Sequence, residues 1–297
     1  MLNAKPPPRA RGSGLDPPMN DHFAAFSFVD RITALESGVR ARGMFAVPRD
    51  LVAFPACLVA EAVGQLAAWV AMDKIGFRGR PVAALATETI FHGDVAPGSR
   101  LDLAVEVESC DDEAIAYGGA AHIAGVQVIE LKHCLGPMLP VQEFDAPEVL
   151  RERLRLLCAE GAAGGRFRGV VTPTLDVLEG EPGRSARAML HVPTAAPFFA
   201  DHFPRRPVFP ATLLLDSQIR LALDLARAAI GSATGAVPVP LRMTNVKMRS
   251  FIAPGQEVVL GAELAALNDL DSAVRLSAAI DGRTVATARL NVAVREN

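Results

Sequence analysis

FPACLVAEA at residues 54–62 and FPATLLLDS at 209–217 are two versions of one phrase, set 155 residues apart. Each opens with Phe-Pro, runs on through small and aliphatic side chains, and places an acid at its eighth position, Glu61 or Asp216. The correspondence continues outward. VAPGSRLDL at 95–103 matches IAPGQEVVL at 252–260, and IAGVQV at 123–128 matches IDGRTV at 280–285, both at an offset of 157. Upstream, VRARGMFAV at 39–47 matches RSARAMLHV at 184–192, there at an offset of 145. Four matches in one order identify a tandem duplication. The jump from 145 to 155 locates a difference between the copies: the stretch between Val192 and Phe209 holds ten residues with no counterpart between Val47 and Phe54.

Proline suits the first turn of a helix, so the two phrases predict helices over about 55–73 and 210–230. Both are apolar on nearly all sides, as a helix wrapped by a sheet must be. A short β segment precedes each helix and three or four strands follow, marked by β-branched residues, alternation, and turns such as Ala-Pro-Gly and Asp281-Gly282. The expected fold class is α+β: one long helix rolled in an antiparallel sheet, the hotdog, present twice and packed as a pseudo-two-fold dimer with the sheets joined edge to edge. The first copy is assigned to 21–142 and the second to 166–297. A connecting helix with a charged face, Glu143–Glu160, and a flexible GAAGG at 161–165 fill the linker at 143–165. Residues 1–20, rich in Pro, Gly and Arg, read as a disordered lead-in.

Composition narrows the function classes. In 297 residues, 50% are hydrophobic and 21% charged, with a net charge of −3, a globular balance without the basic excess of a nucleic-acid binder. Leu51–Met72 is apolar, but Pro55, Glu61 and Gln65 interrupt it, which favours a buried core helix over membrane insertion. Cys57, Cys110, Cys134 and Cys158 are widely spaced, with no paired motif and no histidine at metal-ligand spacing. Free thiols in a reducing cytoplasm, and no metal, are expected.

FFADHFPRRPVFPATLLLD at 198–216 resembles the signature of the bacterial β-hydroxyacyl-carrier-protein dehydratases: a His-Phe-Pro-x-x-Pro loop, a Pro-Gly helix start, and an acid one and a half turns into the helix. FPACLVAEAVGQ at 54–65 is similar to the helix portion and includes the family's Glu-Ala-x-x-Gln. FSFVDRI at 26–32 and FHGDVAPGSRLDL at 91–103 look like the family's opening segment and a later strand. Ala56 and Ala211 stand where the family usually has glycine. The resemblance implies dehydration of a 3-hydroxyacyl thioester to the trans-2-enoyl thioester in fatty-acid or polyketide-type synthesis. It also implies a substrate carried on the phosphopantetheine of an acyl carrier protein, or on coenzyme A, and no further cofactor. The family builds its site from opposite protomers, which pairs His202 of the second copy with Glu61 of the first. The first copy has no histidine between His22 and His92, so the reciprocal site at Asp216 lacks its base and one site per chain remains.

The chemistry asks for the same residues. Removing an α-proton suits a base near pKa 7, the ordinary range of histidine. Protonating a departing hydroxyl suits a carboxylic acid, and burial favours its protonated form. Enolate character at the thioester carbonyl calls for N–H donors at a helix start. Pro210 cannot donate, so the backbone amide of Ala211 is the candidate. Gln65, at i+4, shares a face with Glu61 and is its expected support. Asp216 is followed by Arg220, Asp224 and Arg227, a charged stripe expected to keep it ionised and structural. Arg205 and Arg206 are candidates for contact with the phosphopantetheine phosphate or an acidic carrier, with solvated loop arginines as the alternative. His92, His122, His133 and His191 fall in strand patterns and are read as ordinary residues. A hotdog does not by itself select a reaction. A thioester hydrolase using Glu61 to activate water and a non-catalytic acyl-binding module stay as alternatives, and further homo-oligomers stay open.

Overall fold

The computed structural model describes residues 22–230, 237–267 and 272–295; the expected lead-in at 1–20 lies outside them. In the first copy, β1 (Arg31–Glu36) and β2 (Arg40–Ala46) form a hairpin and α1 (Ala56–Lys74) follows. Then come β3 (Gly79–Pro81), β4 (Leu85–Phe91), β5 (Arg100–Cys110), β6 (Ala114–Ile123) and β7 (Val126–Pro140). After a connecting helix, α2 (Pro147–Cys158), the second copy repeats the order. It has β8 (Leu175–Leu178), β9 (Ser185–His191), α3 (Ala211–Ile230), β10 (Val237–Met248), β11 (Glu257–Leu267), β12 (Ser272–Ile280) and β13 (Arg283–Arg295). A two-stranded hairpin, not one short β segment, precedes each helix.

The strands pair in the order β1-β2-β5-β6-β7-β4-β10-β13-β12-β11-β9-β8, with β3 added on β7. The two halves of that order are mirror versions of each other, and the centre is the antiparallel pairing of β4 with β10, with Ile90 opposite Arg242 and Leu85 opposite Lys247. Each copy thus supplies one edge strand to the other, which removes two exposed edges at once. Tight turns keep the registers matched. Asp281 and Gly282 both have positive φ, as a two-residue hairpin turn requires, and Ala124 and Gly125 do the same in the first copy.

The two central helices differ in cover. On α1 only Lys74 is exposed, whereas α3 shows Asp224, Arg227 and Ala228 to solvent. The linker explains the difference. Leu150, Leu154 and Leu157 make one buried face of α2, Arg151 Nη2 donates to the Gly76 carbonyl at 3.0 Å just past α1, and Phe26 and Phe28 are fully buried over the same helix. The GAAGG that follows α2 is pinned rather than loose. The Ala162 N–H donates to the Asp30 carbonyl at 2.6 Å, and Phe167 packs edge-on to Phe28 at 4.9 Å.

Candidate active site

The ten residues that distinguish the second copy form a self-locked loop. Pro197–Ala200 makes a 3-10 turn, the His202 N–H donates to the Phe198 carbonyl at 2.9 Å, and the Val208 N–H donates to the His202 carbonyl at 3.1 Å. His202 Nδ1 lies 3.1 Å from the Val208 carbonyl. A carbonyl only accepts, so Nδ1 carries the proton and Nε2 holds the lone pair of the neutral ring. The imidazole stacks on Phe203 at 4.4 Å and meets the edge of Phe26 at 5.6 Å. Burial pulls its pKa below the ordinary 6.5; Glu61 opposes that shift and Arg80 adds to it. The loop therefore presents a neutral base.

Glu61 comes from α1 of the other copy and receives two hydrogen bonds. Thr212 Oγ1, in the first turn of α3, donates to Oε2 at 2.9 Å, and Gln65 Nε2 donates to Oε1 at 3.0 Å. Gln65 is itself oriented by the segment ahead of β1. Its Oε1 accepts the Phe28 N–H at 2.8 Å and its Nε2 donates to the Phe26 carbonyl at 2.9 Å. The amide can face Glu61 only through its NH₂ group. His202, Glu61, Gln65, Thr212 and Ala211 all line one cavity of about 240 Å³ at the seam between the copies, and apolar side chains make up most of its remaining wall. Ala211 opens α3, where the first amides have no intrahelical acceptor.

Asp216 does not line that cavity. Its surroundings are the pseudo-symmetric image of Glu61's, at the same offset of 155: Cys57 stands in the place of Thr212 and Arg220 in the place of Gln65. Gln65's grip on Phe26 and Phe28 becomes Arg220 Nη2 donating to the Pro173 carbonyl at 3.1 Å. Arg220 Nε reaches Asp216 Oδ2 only at 3.4 Å. Burial is the larger influence on the Asp216 carboxyl and raises its pKa, and the charge of Arg220 opposes that shift. Cys57, buried beside it, is pushed well up by burial and by Asp216.

Three residues of the site escaped the sequence reading. Asp201 is 7% exposed and accepts the N–H groups of Phe23, Ala25 at 2.8 Å and Phe26 at 2.7 Å, tying the histidine loop to the start of the first copy. Arg80 lies over the Phe203 ring at 4.3 Å and is ion-paired with Asp145. Thr212 is the third. Only the position of Asp201 beside His202 hinted at a role. Arg205 and Arg206 flank the loop outside the cavity: Arg205 Nη1 donates to the Gln142 carbonyl at 3.3 Å, and Arg206 pairs with Glu143 at 2.7 Å. His133 pairs with Glu108, and His191 with Asp176 and Glu257, at exposed positions. Neither they nor His92 and His122 line the cavity. Among the described residues no group of three or more His, Cys, Asp or Glu side chains could hold a metal ion.

Known proteins bear on this arrangement. A family model for ApeI-like proteins, described as ApeI dehydratase, matches residues 179–287. The 3-hydroxyacyl-[acyl-carrier-protein] dehydratase FabZ of Albidiferax ferrireducens is 32% identical over 122 residues, covering 40% of this chain and 81% of that protein. Among solved structures, the dehydratase domain of PpsC from Mycobacterium tuberculosis, in complex with C12:1-CoA, superposes with a TM-score of 0.51 at 18% identity, covering 91% of this chain and all 100% of that domain. A tesB protein of Mycobacterium avium superposes at 0.57 with 13% identity, covering 89% and 96%. At these identities the two structures speak for the double-hotdog architecture alone. The sequence match to FabZ goes further, and this chain belongs to the hotdog 3-hydroxyacyl-[acyl-carrier-protein] dehydratase family, with two copies of the fold fused in one polypeptide.

Proposed function

We propose that the protein dehydrates a 3-hydroxyacyl thioester to the trans-2-enoyl thioester at one site per chain. The observation that carries this reading is the meeting of His202 from the second copy and Glu61 from the first in a single, mostly apolar cavity. His202 Nε2 takes the α-proton. The developing enolate oxygen is stabilised by the amide at the start of α3, Ala211. Glu61 acts as the general acid and gives a proton to the departing hydroxyl, which leaves as water. The imidazolium and carboxylate left behind return to their starting forms by proton transfer between them. Thr212 and Gln65 hold the carboxyl in place while this happens.

The substrate is carried on phosphopantetheine, of an acyl carrier protein or of coenzyme A, with Arg205 and Arg206 on the exposed flank of the loop as carrier contacts. A cytoplasmic setting fits four cysteines that are all free. Incubation with 3-hydroxydecanoyl and crotonyl thioesters tests the reading: enoyl absorbance should fall or rise with the direction of reaction, and thiol should not be released. Free thiol would indicate a hydrolase instead, and no reaction would leave an acyl-binding module.

A further inference from the structure

Arg153 belongs to α2, the linker helix, which has no counterpart in the repeat. Its side chain is 7% exposed and lines the cavity together with Phe23, Trp69, Met72 and Leu157. Its guanidinium lies 4.9 Å over the Phe23 ring. Among the described residues no carboxylate reaches it within ion-pair distance, whereas the cavity's other arginine, Arg80, has Asp145. The two acids whose charge it feels are Asp30 and Asp201, and both are engaged by backbone: Asp30 Oδ2 accepts the Ala46 N–H at 2.7 Å, and Asp201 takes the three N–H groups of the segment at 23–26. Arg166 adds a second positive charge nearby. A guanidinium taken out of water without a carboxylate is costly unless something else pairs with it.

We infer that Arg153 anchors an oxyanion that the substrate itself brings into the cavity, either a carboxylate at the far end of the acyl chain or the phosphate of the pantetheine arm. The planar fork of arginine suits both, and its value rises in a desolvated wall. The contact with the Phe23 ring is not a hydrogen bond and uses none of the guanidinium's five N–H donors. This inference rests on the acyl-thioester reading of the same cavity.

The test is equilibrium binding to the full chain, which needs no turnover. Three probes are compared by calorimetry: decanoyl-pantetheine, which is neutral; decanoyl-4′-phosphopantetheine; and the ω-carboxynonanoyl thioester of pantetheine. Wild type should bind one anionic probe about tenfold tighter than the neutral one, or more. Arg153→Gln should erase that preference while changing affinity for the neutral probe less than about threefold, and Arg153→Lys should keep part of it. Which anion loses its advantage names the source. Equal binding of all three probes by wild type overturns the inference, as does an Arg153→Gln protein that weakens on neutral and anionic probes alike. If that variant does not fold, the wild-type preference and the lysine variant decide. Binding of no probe sinks the acyl reading of the cavity as well, whereas active enoyl hydration beside unselective binding sinks only the role of Arg153.

Discussion

His202 and Glu61 are each held in place by what touches them. A carbonyl on Nδ1 and burial keep the imidazole neutral with Nε2 free, while Thr212 and Gln65 donate to the carboxyl from both sides. His202→Ala and Glu61→Gln should each lower turnover about 10²–10⁴-fold, with thermal melts showing both proteins folded. Asp216→Asn should stay within a few-fold of wild type, since no histidine shares its site; a folded but dead Asp216→Asn protein would move catalysis to the second copy. Because burial lowers the His202 pKa, the acid limb of kcat/KM should fall below the ordinary 6.5. Asp30 makes a separate pH prediction. Burial raises its pKa to about 6 from 3.8, so the folded state binds that proton more tightly than the unfolded chain does. Its contribution to stability is complete below 3.8 and is lost as pH rises through about 6. Denaturant melts across that window should show a smaller loss on raising the pH for Asp30→Asn than for wild type.

At the scale of elements, Asp201 is the side chain that ties the loop between β9 and α3 to the start of the first copy, beside the contacts of Arg80 with Phe203 and of Arg205 with the Gln142 carbonyl. Asp201→Ala removes the acceptor of three N–H groups and should cost about 3 kcal/mol, read as a lower unfolding midpoint, with turnover falling as His202 loses its seat. On α1, Gly64 is a weak helix former placed mid-helix, at a cost of about 1 kcal/mol relative to alanine. It lines the cavity, and a Cβ there would stand 3.2 Å from the Tyr117 hydroxyl. Gly64→Val should therefore narrow the acyl path and lower kcat/KM for a decanoyl thioester more than for crotonyl. Equal losses on both substrates would show that Gly64 does not shape that path.

At the scale of the molecule, the candidate site depends on two hotdogs sharing a sheet. The histidine comes from one copy and the acid from the other, and β4 pairs with β10. Residues 22–165 and 166–297 expressed apart should each lack turnover and expose a strand edge prone to association. Co-expression should restore activity. A fully active second copy alone would refute the two-copy site.

The sequence by itself determined the duplication, the two central helices, the His-Phe-Pro loop and the Glu61–Gln65 pair, because each is written in local spacing: a repeat offset, an apolar run after proline, a polar pair at i, i+4. The missing histidine of the first copy was legible as a change of offset. Tertiary structure alone decided the rest. Thr212 reaches Glu61 across 151 residues of chain, Asp201 reaches Phe26 across 175, and Arg80 meets Phe203 from the other copy. No periodicity encodes such meetings; they follow from which faces the shared sheet brings together. The same holds for α2. Its charged face was visible in the sequence, but the burial of Arg153 against the cavity depends on α2 packing against β1 and on the Phe23 ring beneath its guanidinium.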